Sequence, residues 1–345
     1  MKSTVSSVAI CVLLFMGCLF GCRDGARETA EVTRAVAPHR VEAKRDLAAA
    51  DFDVTVSDRL DRQVSFSVAA RRIVSLTPSM TEVLFAIDAG DRIVGATTHC
   101  NYPPAAEEIP RVGGGTLESI NQESIIALNP DLVLCKWDKY EPLLRNLDRL
   151  GVRVLAMGPE TLAELYDETR MLGQVTGNSA QAEALVETMQ RRVEMVVRQV
   201  PAGDGPKVFY QVWNDPLMTA GGNSFIGELL VLAGFENLFE ETPIRYPKVN
   251  PEVVVAGDPD IILAPSTHGA PVTIESILTR PGWSRVRAVR EKRIYLLNRD
   301  TISRCGPRLV DALEEIVAAA YPDRFTSSDY ESEPGEQATL QEGTP

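Results

Sequence analysis

Histidine and clustered basic residues are scarce in this sequence. Its 345 residues include three histidines, which leaves little for a His-rich metal site or a His-based catalytic triad. Lysine and arginine form no run and the formal net charge is -13, whereas nucleic-acid binding depends on clustered cations. Beyond the N-terminal segment, no apolar stretch approaches the roughly 18 residues that span a bilayer. The composition therefore argues against a nucleic-acid partner and against a membrane-spanning body.

Common catalytic motifs are also missing. Gly113-Gly114-Gly115 lacks the spacing and the following Lys-Ser or Lys-Thr of a P-loop, so it is interpreted as a loop. Neither a Gly-x-Ser-x-Gly elbow nor a His-Glu-x-x-His helix occurs. The sequence therefore favours a protein that is not an enzyme, and it predicts no cofactor.

The N-terminus has the features of an export signal. Lys2 precedes an apolar stretch from Val8 to Phe20, and Gly21-Cys22 follows. This segment resembles a bacterial lipoprotein signal, which implies cleavage after Gly21 and a lipid on Cys22. Cys18 ends a weaker competing site, and an ordinary secretory signal is the alternative. Residues 1–21 are thus predicted to be a signal peptide that exports the body. The lipid on Cys22 is expected to anchor the body to the cell envelope, in the periplasm or on the outer face of the cytoplasmic membrane.

Export changes the interpretation of the cysteines. Three of the six remain in the body, namely Cys100, Cys135 and Cys305, and an exported body meets an oxidising compartment. One disulfide, a soft-metal site and inert thiols are the three hypotheses for them.

Hydrophobic patterning divides the chain into six segments. Residues 22–50 lack an apolar period and are expected to form a flexible tether, and 326–345 are expected to form a disordered acidic tail. Residues 51–177 begin with a hairpin pattern and continue, like 201–325, with apolar runs that alternate with helical stretches. An amphipathic stretch at 178–200 predicts a connecting helix about 31 Å long over Ala180–Val200. The predicted fold class is α/β, with two Rossmann-like lobes of parallel sheet and a ligand cleft between them.

The two halves repeat each other. Residues 121–134 align without a gap to residues 250–263, with six identities in fourteen positions. Glu82 to Gly90 similarly corresponds to Glu228 to Gly234 with two residues fewer. Repeats of this kind predict equivalent helix, turn and strand units in two similar lobes.

Several motifs occur in an order that resembles a known family. They are Arg72-Ile-Val-Ser-Leu-Thr-Pro-Ser-Met-Thr-Glu82, Asn101-Tyr-Pro-Pro104, Asn129-Pro-Asp131, Leu217-Met-Thr-Ala-Gly-Gly222, Tyr246-Pro247 and Ser303-Arg-Cys-Gly-Pro-Arg308. From about residue 52 to 322 the chain resembles the substrate-binding proteins of ABC importers for cobalamin, haem and iron siderophores, and most of all the cobalamin-binding members. The resemblance implies a corrinoid as the transported ligand, a monomer, and partnership with a permease and its ATPase.

The resemblance and the strand ends together supply candidate ligand contacts. Ser79, His99, Tyr246, Asp300 and Arg304 match ligand-contacting positions of the family's motifs. Trp137 and Trp213 follow predicted strands and suit the aromatic walls that a large, partly apolar corrinoid disc requires. The chain departs from the cobalamin binders where His99 replaces a tyrosine and where Val212 replaces an aromatic residue next to Trp213.

Two acidic residues occupy the same place in the repeat. Glu123 and Glu252 each follow an asparagine by two residues, in a predicted first helical turn where the helix dipole favours a carboxylate. The resemblance implies that these positions dock onto arginines of the permease.

Alternatives remain at this point. A haem or ferric-siderophore binder of the same importer class is one. A metal-dependent envelope enzyme that uses His99, Cys100 and His268 is a second, and a structural envelope lipoprotein is a third.

Overall fold

A computed structural model describes residues 52–203, 205–266 and 272–322. The predicted signal peptide, tether and acidic tail lie outside these residues, as do Cys22 and His268. The described residues all belong to one compact unit of the chain.

The predicted hairpin is confirmed at the start of the body. Strands β1 (Val54–Ser57) and β2 (Gln63–Phe66) pair antiparallel, with Val54 opposite Phe66. The turn is fixed to the rest of the fold because the backbone N–H of Arg59 donates to the Ala156 carbonyl over 2.9 Å. The Asp58 carboxylate accepts from the Ala156 N–H in return, at 3.1 Å.

The N-terminal lobe contains a parallel sheet. Its strands are β3 (Ile73–Ser75), β4 (Ile93–Ala96), β5 (Leu132–Lys136) and β6 (Val154–Met157), in the spatial order β4-β3-β5-β6. Its helices are α1 (Pro78–Ala86), α2 (Gln122–Ala127), α3 (Glu141–Arg149) and α4 (Leu162–Thr176), with 3-10 turns at Gly90–Arg92, Pro104–Glu108 and Leu117–Ser119. The strands are buried almost throughout, which explains their apolar runs. The apolar runs of residues 73–76, 93–96, 132–135 and 152–155 predict all four strands to within two residues of their observed ends.

One long helix connects the lobes, as predicted. Helix α5 spans Ser179–Val197 and packs mainly against α4. Asn178 stands at its N-cap position, but its side chain does not cap the helix. Instead its amide nitrogen donates to the Ile87 carbonyl at 2.8 Å, and its amide oxygen accepts from Arg92 at 3.0 Å. Asn178 therefore ties the start of α5 to the end of α1.

The C-terminal lobe contains the second sheet. Its strands are β7 (Lys207–Trp213), β8 (Met218–Thr219), β9 (Glu236–Asn237), β10 (Ile261–Pro265) and β11 (Ile294–Leu297). Strands β11, β10, β7 and β9 are parallel neighbours, whereas β8 joins β7 antiparallel. Its helices are α6 (Phe225–Leu232), α7 (Pro251–Gly257), α8 (Ile274–Leu278), α9 (Arg287–Arg290), α10 (Arg299–Ile302) and α11 (Leu309–Ala320), with a 3-10 turn at Trp283–Arg285. The antiparallel β8 was not predicted.

The internal repeat is structural. Helix α2 leads into β5 in one lobe, and α7 leads into β10 in the other. The turn residues Asn129 and Asp258, which align in the repeat, both have a left-handed backbone, with φ of 46° and 45°. Asparagine and aspartate tolerate this conformation better than most residues. The two lobes therefore use the same helix, turn and strand unit.

Candidate functional site

The candidate ligand site lies at the carboxyl ends of the parallel strands, where the two lobes meet. In the N-terminal lobe the loop of residues 97–102 follows β4. Arg111 holds this loop in place because its guanidinium donates to the carbonyl oxygens of Thr97, Cys100 and Ala106, at 2.8, 2.9 and 3.0 Å. Three bonds from one rigid, planar donor give the loop a defined shape.

The two ring side chains of this loop are open to solvent. The His99 imidazole is exposed and packs closely over Gly115, where a Cβ would lie 2.5 Å from His99 Cδ2. Glycine at 115 thus makes room for the imidazole, which accounts for one residue of the triple-glycine run. Tyr102 is 42% exposed. Both rings are therefore accessible at the end of the β4 strand.

The C-terminal lobe contributes aromatic side chains of two kinds. Trp213, at the end of β7, is 44% exposed, and its indole N–H donates to the Asp215 carbonyl at 3.0 Å. Tyr246 is only partly exposed and packs edge-on against Phe225, with 6.5 Å between ring centroids. Burial raises the pKa of the Tyr246 phenol, so it is neutral at physiological pH. Trp213 is consequently the more open ring.

A buried carboxylate links the lobes. Glu82 of α1, with a side chain 3% exposed, accepts from Arg308 Nε and Nη2 at 2.9 and 2.7 Å and from Arg304 Nη1 at 3.1 Å. Arg304 also pairs with Asp300 at 3.0 Å. The four formal charges cancel. Arg304 and Asp300, predicted as ligand contacts, are therefore already partners of each other, and Arg304 also binds the opposite lobe.

A second set of contacts joins the lobes through the start of α4. Glu228 of α6 accepts from the Leu162 backbone N–H at 2.8 Å. Arg245 forms an ion pair with Glu160. Glu82 and Glu228 align in the repeat, so the same position of each lobe reaches across to the other. This approximate symmetry fixes the distance between the lobes from both sides.

Ser79 lies beside the segment that carries Arg304. A Cβ added at Gly306 would be 3.3 Å from both Cα and Cβ of Ser79. The absence of a side chain at residue 306 therefore allows the two lobes to approach closely here. Ser79 is partly exposed.

Trp137 is positioned by the hairpin. The Arg59 guanidinium lies 5.9 Å from its ring centroid, and its indole nitrogen is buried without a hydrogen-bond partner. The ring is partly exposed, so it is less accessible than Trp213.

The hypothesis of a disulfide among the three body cysteines is wrong. Cys100, Cys135 and Cys305 are all free and buried. Cys135, in β5, packs in a different hydrophobic cluster from the other two. Burial raises the pKa of the Cys135 thiol to about 12 and also raises that of Cys305. Protonated thiols are poor metal ligands, so inert thiols are the supported interpretation for Cys135 and Cys305.

The two repeat glutamates lie exposed in the first turns of α2 and α7. Each helix is capped as predicted. Asn121 accepts from the Ser124 N–H, and Asn250 accepts from the Glu252 N–H, both at 2.9 Å. The carboxylates of Glu123 and Glu252 take no part in this capping and are free to meet a partner.

Among the residues that the structure describes, no three His, Cys, Asp or Glu side chains are grouped as a metal ion requires. No helix in the same ranges combines the length and the apolarity needed to cross a bilayer.

Sequence reasoning missed the residues that organise the site. Glu82 and Arg308 both stand inside motifs already noted, and Glu82 also opens one of the repeats. That repeat was the available signal, because two equivalent acids in helices of equivalent lobes suggest equivalent contacts. Arg111 and its three backbone acceptors gave no signal in the sequence.

Fold and site together define a two-lobed α/β binding protein with its cleft at the strand ends. A family model for periplasmic binding proteins matches residues 73–301. The uncharacterized ABC transporter substrate-binding lipoprotein YvrC of Bacillus subtilis is 30% identical over 282 residues, covering 79% of this chain and 87% of YvrC. The chain belongs to the periplasmic binding protein family, among the substrate-binding proteins of ABC transporters.

Solved structures share this fold. The vitamin B12 binding protein BtuF of Vibrio cholerae is 27% identical with a TM-score of 0.64, covering 73% of this chain and 97% of BtuF. A periplasmic heme binding protein of Pseudomonas aeruginosa is also 27% identical, with a TM-score of 0.66 and coverage of 74% and 94%. These two proteins are named for different ligands, so similarity of fold alone does not select between vitamin B12 and heme.

Proposed function

We propose that this protein captures a corrinoid and delivers it to an ABC permease. The observation that carries the proposal is the pair of open rings on facing lobes, His99 after β4 and Trp213 after β7. A broad, partly apolar disc with polar fringes suits such walls. Similarity to BtuF supports a corrinoid.

The contacts follow from the position of each side chain. Trp213 and Tyr246 form one wall and the His99 loop forms the other, with Trp137 and Ser79 at its margin. Asp300 and Arg304 bind the amide or phosphate fringe of the ligand. They do so through the carboxylate lone pairs and guanidinium N–H groups that their mutual ion pair does not use. His99 makes no hydrogen bond within the described residues, so its imidazole is available to the cobalt.

Absorbance spectroscopy tests this ligand directly, because cobalamin, haem and ferric siderophores are all coloured. Purified protein is mixed with each, separated from free compound, and scanned. We expect retention of cobalamin or its analogue cobinamide. In His99→Ala we expect weaker retention and an altered corrinoid spectrum, with His39→Ala as a control outside the predicted body. Retention of haem or a siderophore but of no corrinoid would overturn the ligand and leave the transport role intact.

Haem is the second candidate, favoured by the similarity to the Pseudomonas aeruginosa heme binding protein and by the same open imidazole. The two candidates differ in their spectra. A shift of the haem Soret band that disappears in His99→Ala would support haem as the ligand.

We further propose that the protein works outside the cytoplasmic membrane, anchored through Cys22. The signal-like sequence supports this, as does the description of YvrC as a lipoprotein. Fatty-acid labelling of Cys22→Ser tests it, and label that persists in this variant would contradict the assignment.

A further inference from the structure

Tyr102 is a large aromatic residue left open at the carboxyl end of β4. It is 42% exposed, in the same loop as His99. Sequence motifs did not assign it to the ligand. An aromatic ring at a strand end is suited to contact a flat, partly apolar surface.

One face of this ring is occupied by the opposite lobe. Arg308 Cζ lies 3.7 Å from the Tyr102 ring centroid, which is a close cation–π contact. The same guanidinium is held in its plane by the buried Glu82 carboxylate through two hydrogen bonds. Arg308 is therefore fixed on its edge by Glu82 and presents its flat face to the phenol.

The loop below the ring is fixed independently. Arg111 donates to carbonyl oxygens at Thr97, Cys100 and Ala106, and thus braces both flanks of Tyr102. With the loop braced and one ring face covered by a guanidinium, the tyrosine has little freedom to turn. A fixed ring loses little entropy when a ligand binds.

We propose that Tyr102 is a further ligand-contacting residue and that Arg308, anchored on Glu82, is the positioning residue that presents its ring. The open side of the phenol stacks on the flat face or rim of a macrocycle, giving the order guanidinium, phenol, ligand. The stack includes residues from both lobes, so it forms completely only at the lobe separation seen here. This inference rests on the proposed function of the cleft.

The test measures affinity by calorimetry with cyanocobalamin and hemin as probes. Tyr102→Ala removes the ring and should weaken binding roughly five- to thirtyfold. Tyr102→Phe is the matched control, because it keeps the ring and removes the hydroxyl. We expect its affinity to stay within about twofold of the wild type. Melting temperatures recorded in parallel identify any general loss of structure.

Arg308→Lys tests whether Arg308 positions the Tyr102 ring, and it keeps a positive charge beside the Glu82 carboxylate. It keeps the cation but loses the planar group that stacks on the ring. We expect roughly three- to tenfold weaker binding in the wild-type background and no further loss in the Tyr102→Ala background. A residue with a purely structural role would weaken both backgrounds equally.

Two outcomes would overturn this inference and leave the proposed function standing. One is a Tyr102→Ala variant that binds the probe as tightly as the wild type. The other is an equal effect of Arg308→Lys with and without the ring, which would reject the positioning role. Failure of the wild type to bind either probe or a ferric siderophore would overturn the proposed function and this inference with it.

Discussion

Glu168 is a carboxyl group whose protonation is set by its surroundings. It is buried in α4 and lines a cavity of about 150 Å³ under the hairpin. Burial raises the pKa of its carboxyl to about 7, although the Gly158 N–H donates to both carboxylate oxygens and Arg59 lies nearby. The folded state therefore binds a proton that the unfolded state has released between pH 4.5 and 7. The contribution of Glu168 to stability falls as the pH rises through this window.

Glu168→Gln should remove this pH dependence. The amide oxygen can still accept from Gly158, and no charge is buried at high pH. At pH 8 we expect the variant to be more stable than the wild type by on the order of 1 to 3 kcal/mol, with the difference disappearing near pH 4.5. Urea unfolding across this range measures it. The exposed Glu187 supplies the control, since Glu187→Gln should leave the curve unchanged. If the unfolding free energies of Glu168→Gln and the wild type change with pH in parallel, the raised pKa of Glu168 is contradicted.

At the scale of the elements, α1 and α6 are repeat equivalents that hold the lobes together in different ways. Glu82 in α1 pairs with two arginines whose side chains are 14% and 18% exposed. Glu228 in α6 accepts one backbone N–H, and desolvation raises the pKa of its carboxyl. Removing the negative charge should therefore lower the stability of the fold at Glu82 and leave it nearly unchanged at Glu228.

The Gln variants of these two residues give a matched comparison. Glu82→Gln leaves Arg304 and Arg308 without their shared carboxylate and should cost about 3 kcal/mol of unfolding free energy. Glu228→Gln keeps an acceptor for the Leu162 N–H and removes a poorly solvated charge, so we expect a change within about 1 kcal/mol. Denaturant unfolding at pH 7 compares them. Equal losses for the two variants would show that the ion pairs at Glu82 contribute nothing beyond an ordinary hydrogen bond.

At the scale of the whole molecule, the exposed carboxylates of α2 and α7 present one charge on each lobe. We propose that they dock onto the permease, because paired surface charges contribute specificity and association rate. Combining Glu123→Arg with Glu252→Arg should abolish uptake in cells while leaving calorimetric ligand affinity within about twofold of the wild type.

A control for this double variant changes the same total charge elsewhere. Glu187→Arg with Glu291→Arg reverses two other exposed glutamates, and we expect uptake to continue. Lost ligand affinity in the Glu123 and Glu252 variant, with its fold intact, would reject the docking role. Equal loss of uptake in both double variants would attribute the effect to net charge.

Much of this architecture could be predicted because its signals are local. Short apolar runs indicate the buried strands, and asparagine indicates the starts of α2 and α7 because it caps both helices. The repeat added a second, independent signal for the two lobes. Asn178 shows the limit of local reasoning, since its position favoured a cap but its side chain bonds instead to Ile87 and Arg92. Tertiary partners outcompeted the local one.

The sequence by itself determined the fold class, the connecting helix and the equivalence of the lobes, because apolar period and repetition are properties of neighbouring residues. Only the tertiary structure decided what the charged and sulfur-containing residues do. Glu82 and its partner Arg304 are 222 positions apart, and the three buried thiols are divided between two separate hydrophobic clusters. Ion pairing and burial depend on which distant segments meet, and composition and spacing do not encode that meeting.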